Sequence, residues 1–181
     1  LFGNSVRFAG DVNGDGFGDI IIGARDYNNG TKSDAGKSYV VFGQAEGFAA
    51  EINVTDLDGS NGFQINGKDY FDRFGCSVSS AGDINGDGYD DLIIGAYKAS
   101  IVGANSEGES YVLYGKASGF APLIEASSVD GSNGFHLGGL NGSSKFGWSV
   151  SSAGDVDGDG FDDIVIGAHG EDLIDPVRYR A

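Results

Sequence analysis

Residues 146–168 read FGWSVSSAGDVDGDGFDDIVIGA, and the chain contains this run three times with small changes. The other copies are FGNSVRFAGDVNGDGFGDIIIGA over residues 2–24 and FGCSVSSAGDINGDGYDDLIIGA over residues 74–96. Each copy begins 72 residues after the one before it. Chance does not keep such a spacing through so many matching positions, so the sequence predicts a repeat architecture.

An acidic loop lies at the centre of each copy. In the third copy the aspartates are Asp155, Asp157, Asp159 and Asp163, at the first, third, fifth and ninth positions of the loop, with Gly160 at the sixth. Carboxylates this close repel one another, and a free loop of this kind would be open and disordered. Strand-like sequence flanks the loop on both sides, so its ends are anchored. A hard cation would relieve the repulsion, and Ca²⁺ accepts roughly six to eight oxygen ligands.

The composition limits the classes of function. The chain has 181 residues, which is enough for an ordinary hydrophobic core. Its formal net charge of −16 argues against binding to nucleic acid or to an anionic membrane surface. No apolar run approaches the roughly 20 residues of a membrane-spanning helix, so no transmembrane segment is expected. The 33 glycines recur at fixed repeat positions and indicate many tight turns.

The one cysteine, Cys76, excludes a disulfide within the chain. It occupies the repeat position that Asn4 and Trp148 fill in the other copies. A position that accepts three such different side chains is not that of a nucleophile, so we predict a packing role for Cys76. Leu1 starts directly in the first repeat without a signal peptide, which we interpret as the mark of a fragment or a processed piece of a larger chain.

Four short strands are predicted in each full repeat. The run IIIGA after the first acidic loop is continuous and β-branched, which is typical of a strand buried on both faces. The alternation of Phe63 and Ile65 predicts an outer strand with one apolar face. The predicted strands are 5–9, 20–24, 38–43 and 63–67, then 77–81, 92–94, 110–115 and 135–139, then 149–153 and 164–166. No segment of useful length has a helical period.

Four-stranded antiparallel sheets repeated around an axis are the blades of a β-propeller. We therefore predict an all-β fold with two full blades and the first half of a third, which is a partial propeller. Small side chains over residues 77–81 and 149–153 suit a strand crowded near the propeller axis. The first repeat has Arg7 and Phe8 where the others have serines, so its surroundings should be roomier or more exposed.

The repeated run resembles the FG-GAP repeat, the blade unit of integrin α-chain propellers, which related bacterial surface and secreted proteins also carry. Both signatures, Phe-Gly and Gly-Ala, flank the acidic loop in every copy. The resemblance implies units at residues 1–73, 74–145 and 146–181, the last being a partial repeat with a non-matching tail. It also implies that each loop joins the first and second strands of a blade and binds Ca²⁺, with three ions per chain.

For each ion the resemblance implies four side-chain ligands and one backbone carbonyl. These are the side chains of Asp11, Asn13, Asp15 and Asp19 with the carbonyl of Phe17, those of Asp83, Asn85, Asp87 and Asp91 with the carbonyl of Tyr89, and those of Asp155, Asp157, Asp159 and Asp163 with the carbonyl of Phe161. All of these donors are oxygens, the ligands that a hard cation prefers.

The resemblance also implies a non-catalytic module for adhesion or ligand recognition, located outside the cell or at the cell surface. The ligand, a protein or a glycan, is not specified by the fold. Propellers of this family have about seven blades, so we expect self-association or a longer chain that completes the ring. Catalysis is not expected, because one active site does not need three identical acid clusters.

Two other metal sites are excluded by the sequence. An EF-hand needs a glutamate at the twelfth loop position, where this chain has Ile22, Ile94 and Ile166. His136 and His169 are not at matching repeat positions and have no second histidine or cysteine nearby in sequence, so a zinc site is not predicted. Two other functions stay open: an accessory propeller of a larger secreted enzyme such as a phospholipase, and a self-assembling structural protein.

Overall fold

The computed structural model describes residues 2–100, 106–139 and 144–170. Within these ranges the fold is all-β, as predicted. The strands are β1 (Ser5–Gly10), β2 (Asp19–Ala24), β3 (Lys37–Val41), β4 (Gly62–Asn66), β5 (Val78–Gly82), β6 (Asp91–Ala96), β7 (Glu109–Leu113), β8 (Leu123–Glu125), β9 (Gly134–Gly138), β10 (Phe146–Gly154) and β11 (Asp163–Ala168). The helices in this part of the chain are two 3₁₀ turns, Val54–Asp56 and Ala126–Ser128, which are too short to cross a membrane.

The strands form three sheets, which we name blades. Blade 1 has the order β1-β2-β3-β4, blade 2 has the order β5-β6-β7-β9, and blade 3 consists of β10 and β11. All of these neighbours pair antiparallel, so the prediction of a partial propeller built from four-stranded blades is confirmed. The predicted lack of third and fourth strands in blade 3 concerns residues after Gly170, which lie outside the described residues.

The short strand β8 extends blade 1 to five strands, and the sequence does not predict it. It pairs parallel with β4, where Asn66 lies opposite Glu125 and donates to its Oε1 at 2.8 Å. Phe120, just before β8, stacks on Phe63 of blade 1 with ring centroids 4.6 Å apart. The connection between β7 and β9 therefore returns to blade 1 and ties the two blades together. Three residues are too few to show a strand period in the sequence.

The main hydrophobic core lies between blades 1 and 2. Its buried side chains include Ile21, Val40 and Phe63 from blade 1, and Phe74, Val78, Leu92 and Ile94 from the second repeat. A second cluster lies between blades 2 and 3, where Ile93 packs with Val150. Blade 2 is thus covered on both faces, which explains why β6 contains the continuous apolar run Leu92-Ile-Ile94.

The two outer faces of the blade stack stay apolar and exposed. On blade 1, Val6 is 47% and Phe8 is 68% exposed, in agreement with the roomier surroundings expected for the first repeat. On blade 3, Val165 is 55% exposed. The matching positions in blade 2 are Val78 and Ile93, and both are buried against the neighbouring blades. The outer faces therefore carry apolar side chains at positions that contact a neighbouring blade in blade 2. Among the described residues, no further blade covers these faces.

The two glycine signatures meet where adjacent blades touch. A Cβ atom at Gly23, in the Gly-Ala signature that ends β2, would lie 2.1 Å from the carbonyl oxygen of Gly75, in the Phe-Gly signature before β5. The same contact recurs between Gly95 and Gly147, at 2.0 Å. Gly75 and Gly147 have φ of +79° and +81°, values that L side chains rarely adopt. The signatures therefore allow a close backbone approach between blades.

We expect Gly95→Ala to lower the free energy of unfolding by about 3 kcal/mol, because the new methyl group would run into the backbone of Gly147. Gly167→Ala is the matched control at the same repeat position of blade 3. Its Cβ would lie 2.3 Å from the Oγ of Ser149, and a serine hydroxyl can rotate away. Urea unfolding followed by circular dichroism measures both variants. Equal losses would show that the close backbone approach is not the cause.

Candidate metal centre

The three acidic loops occupy the same place in each blade. They connect β1 to β2, β5 to β6, and β10 to β11, as the resemblance implied. In each pair the register shifts by one residue just before the loop, at Gly10, Gly82 and Gly154. The backbone leaves the strand ladder there and turns into the loop.

The first aspartate of each loop organises the loop backbone. Asp11 Oδ1 accepts a hydrogen bond from the Asp15 N–H at 3.0 Å, and its Oδ2 accepts one from the Gly16 N–H at 2.9 Å. Asp15 Oδ1 in turn accepts from the Phe17 N–H at 2.9 Å. The corresponding donor and acceptor pairs in the later loops are Gly88 and Asp83, Tyr89 and Asp87, Gly160 and Asp155, and Phe161 and Asp159. The loop's own N–H groups thus turn the carboxylates inward.

The sixth loop position requires glycine for its conformation. Gly16, Gly88 and Gly160 have φ of +87°, +90° and +94°, in the left-handed region. Nothing lies within 4 Å of a Cβ built at any of the three, so space is not the constraint. In this turn the N–H groups of the fifth and sixth residues reach the carboxylate of the first aspartate.

Three carboxylates converge in the third loop. One oxygen each of Asp155, Asp157 and Asp159 lies within 4.8 Å of the others, and all three side chains are exposed. Oxygens bound to Ca²⁺ at about 2.3–2.6 Å lie up to about 5 Å apart across the ion, so this spacing suits Ca²⁺. In the first loop the third position is an amide, and Asn13 Nδ2 donates to Asp15 Oδ2 at 2.9 Å. Carboxylate and amide oxygens fit a hard cation and not a thiophilic metal.

The ninth position has a bracing role that the sequence does not reveal. Asp19 is fully buried, and its two oxygens accept hydrogen bonds from the Val12 and Gly43 N–H groups, both at 2.8 Å. Asp91 makes the same two contacts one repeat later. Burial raises the pKa of Asp19 to about 6 and the pKa of Asp91 to about 7, while the N–H donors oppose that rise. Each carboxylate joins the start of its loop to the end of the third strand.

The ninth position of the third loop is only half-buried. Asp163 Oδ2 accepts from the Val156 N–H at 2.8 Å and lies outside the cluster of Asp155, Asp157 and Asp159. The structure thus brings together three of the four side-chain ligands predicted for this loop and holds the fourth at its base. A carboxylate has about four lone-pair sites, so an oxygen that accepts an N–H can still bind a cation.

The aromatic residues at the seventh position pack on the loop of the preceding blade. A Cβ at Gly14 would lie 2.4 Å from Tyr89 Cε1, and one at Gly86 would lie 2.4 Å from Phe161 Cε1. The sequence predicts only the backbone carbonyls as functional groups at this position. An aromatic side chain at the position in all three copies, with Phe17 in the first, is the signal that could have indicated the contact.

Among the described residues, Cys76 and the two histidines do not gather into a site. Burial raises the pKa of Cys76 to about 11, and its Sγ donates to backbone carbonyls at 3.2 and 3.3 Å, which fits a packing role. His136 stacks on Tyr111 in blade 2. His169 packs edge-on against Trp148 in blade 3. The two histidines therefore belong to different blades.

A model of the FG-GAP repeat matches residues 2–41, 74–113 and 146–180, which together form more than half of the chain. The chain belongs to the FG-GAP repeat family. Integrin alpha pat-2 of Caenorhabditis elegans is 37% identical over 179 residues, which cover 92% of this chain and 13% of that protein. Integrin alpha-PS5 of Drosophila melanogaster is 34% identical over 185 residues, which cover 99% of this chain and 16% of that protein.

Integrin alpha-IIb of Mus musculus is also similar to this FG-GAP chain. It is 32% identical over 188 residues, which cover 99% of the chain and 16% of that protein. The FG-GAP chain therefore spans about one sixth or less of the length of these curated relatives. The similarity extends over three successive repeats and is not confined to the acidic loops.

In the presence of a chelator, we expect Asp91→Ala to lower the free energy of unfolding by about 3 kcal/mol, because it leaves two buried N–H donors without their acceptor. Asp163→Ala removes the half-buried counterpart in the third FG-GAP loop and should cost at most about 1 kcal/mol. Chelator excludes any contribution from a bound metal. Thermal unfolding of the two variants and the parent chain makes the comparison, and equal losses would contradict the bracing role.

Proposed function

We propose that this chain is a Ca²⁺-stabilised, non-catalytic FG-GAP propeller segment that serves adhesion or ligand recognition outside the cell or at the cell surface. The observation that carries the proposal is the convergence of Asp155, Asp157 and Asp159 within 4.8 Å on a loop whose own N–H groups order the carboxylates. The same loop backbone in the other two repeats supports extending the proposal to all three loops.

Three Ca²⁺ ions per chain are proposed, one for each of the units at residues 1–73, 74–145 and 146–181. The ligands are Asp11, Asn13, Asp15, the Phe17 carbonyl and Asp19; Asp83, Asn85, Asp87, the Tyr89 carbonyl and Asp91; and Asp155, Asp157, Asp159, the Phe161 carbonyl and Asp163. Bound Ca²⁺ supplies positive charge and oxygen coordination at the centre of each loop. The chain's own residues supply the closed loop backbone that presents the oxygens.

The ions are proposed to stabilise the fold and not to take part in chemistry. The chain has a formal net charge of −16, and much of it is concentrated in these loops. Without a cation, the carboxylates at the first and fifth positions of each loop face one another unscreened, and in the third loop Asp157 adds a third carboxylate between them. The loops connect the first two strands of each blade, so loss of the ion would loosen those connections.

The similarity to integrin alpha chains supports a role in adhesion or ligand recognition. Such a role is best placed on polar loops that differ between blades, of which residues 25–36 in blade 1 are an example. Arg73 holds this loop in place: it pairs with Asp26, and its Nη2 lies 3.1 Å from Asp34 Oδ2. An ordered, blade-specific loop can present a defined surface to a protein or glycan ligand.

The exposed outer faces support the further proposal that other blades cover them. Val6 on blade 1 and Val165 on blade 3 occupy positions that are buried in blade 2. A propeller removes its exposed edges only when the ring closes. The covering blades would belong either to a longer polypeptide or to another copy of this chain.

Removal of Ca²⁺ with a chelator should lower the melting temperature. A ligand bound only by the native state adds about 1.4 kcal/mol per site at tenfold saturation. Asp159→Ala should reproduce part of the loss, whereas Glu51→Ala, an exposed acid outside the loops, should leave the Ca²⁺ dependence unchanged. The proposal would be contradicted by an unchanged melting curve in chelator. It would also be contradicted by a stoichiometry of one bound ion per chain or none at millimolar Ca²⁺.

The purified 181-residue chain should self-associate at low micromolar concentration, because both end faces expose apolar side chains. Val165→Asp should weaken the association by placing a charge on one face. Phe48→Ser is the control, since Phe48 is 51% exposed and is not on a blade strand. Light scattering measures the particle mass. A monomer of 18.6 kDa with a cooperative melt would show that the end faces need no partner.

A further inference from the structure

The aspartate at the eighth position of the second and third loops reaches across to the loop of the preceding blade. Asp90 Oδ2 accepts a hydrogen bond from the Asp11 N–H at 2.7 Å, and the Asp90 N–H donates to the Asp11 carbonyl at 3.2 Å. Asp162 makes the same pair of bonds with Asp83, at 2.9 and 3.2 Å. Asp11 and Asp83 are the first ligands proposed for their loops, so the next blade holds each of them by its backbone.

Glycine makes room for this contact. A Cβ at Gly10 would lie 2.3 Å from Asp90 Cγ, and one at Gly82 would lie 2.1 Å from Asp162 Oδ2. Both glycines directly precede the first aspartate of a loop. At Gly154, the same position in the third repeat, nothing lies within 4 Å of the added atom. In the first two Ala-Gly-Asp runs, the glycine therefore leaves space for the carboxylate of the following blade.

Two more contacts from the second repeat close the first loop. The Tyr89 ring packs on Gly14, and the Lys116 N–H donates to the Val12 carbonyl at 3.0 Å. Val12 is fully buried as a result, whereas its counterpart in the third loop, Val156, is 73% exposed. The start of a loop is thus buried where a following blade covers it. It is exposed in the third loop, for which the described residues contain no following blade.

Blade 1 cannot do the same for a blade placed before it. Its eighth loop position is Gly18, which has no carboxylate, and the Phe8 ring fills the neighbouring space. A Cβ at Gly18 would lie 2.2 Å from Phe8 Cε2. The contact therefore runs in one direction along the stack, from each later blade to the loop of the earlier one.

We infer that Asp90 and Asp162 are positioning residues that align the first ligand of the preceding blade's loop, so that Ca²⁺ binding in one blade is coupled to docking of the next. The inference rests on the Ca²⁺ binding proposed above. A hydrogen bond to an ionised carboxylate is stronger than one between neutral groups, and here it fixes the backbone of a ligand residue. Because coupling free energies are reciprocal, bound Ca²⁺ in turn strengthens the contact between blades.

The test is a Ca²⁺ titration of the full 181-residue chain, followed by hydrogen–deuterium exchange mass spectrometry with peptides that resolve each loop. Asp90→Ala should weaken the Ca²⁺ affinity of the first loop, residues 11–19, about tenfold, as is usual when a partner that orients a metal ligand is lost. Asp162→Ala should move the effect one blade further, to residues 83–91. Asp90→Asn keeps an oxygen acceptor and should retain most of the affinity of the first loop.

Three results would overturn the inference. The weakening could be confined to the loop that contains the substitution, which would indicate a local disturbance. It could be equal in all three loops, which would indicate a general charge effect. Asp90→Asn could lose as much affinity as Asp90→Ala, which would show that the hydrogen bond is not what aligns the ligand.

The same exchange measured in chelator separates this inference from the proposed function. Asp90→Ala should speed exchange over residues 11–16 even without Ca²⁺, because the Asp11 N–H loses its acceptor. If the loops of the parent chain do not respond to Ca²⁺, the proposed function fails. The exchange in chelator then still decides whether Asp90 orders the first loop, and unchanged rates there would overturn the positioning role.

Discussion

Adjacent blades approach one another backbone to backbone, and both the apolar packing and the loop contacts between blades require this approach. At Gly23 and Gly95 the carbonyl oxygen of the next blade lies 2.1 and 2.0 Å from where a Cβ atom would be. At this separation the apolar faces pack into a core between blades 1 and 2 and a second cluster between blades 2 and 3. The same separation lets Asp90 reach the Asp11 N–H at 2.7 Å. A side chain at either glycine would open the core and the loop contact together.

The sequence predicts the fold well at the positions that are present in all three copies of the repeat. The β-branched runs after the acidic loops are β2, β6 and β11, and the order of residues around Asp155 predicts the loop that the structure contains. The different contacts of the adjacent acids Asp90 and Asp91 could not be predicted from the sequence. One extends to Asp11 of the preceding blade and the other turns inward onto Gly115, and nothing in the local sequence separates these two directions. Each direction depends on backbone N–H groups that only the packed blades bring near.

Buried charges mark a second limit of the repeat pattern. Lys37 and Glu109 occupy the same repeat position, carry opposite charges and are both buried. Lys37 Nζ donates to Gln64 Oε1 at 2.9 Å and lies 4.6 Å from the centre of the Tyr27 ring, and burial lowers its pKa. Glu109 accepts a hydrogen bond from the Tyr111 hydroxyl. A buried charge is tolerated only with such partners. The partners differ between blades, so the repeat pattern of the sequence does not predict which side chains they are.

The stack has a direction, because each blade covers the loop of the blade before it and leaves its own loop for the next. In repeat proteins, stability is approximately a sum of terms for single units and terms for neighbouring pairs. An ion bound as proposed would contribute to both terms, since Asp11 belongs to its own loop and is also held by Asp90 of the next blade. Loss of one ion would then weaken a blade contact as well as a loop. In a closed ring, Ca²⁺ would stabilise the contacts between blades wherever an acidic loop meets a following carboxylate.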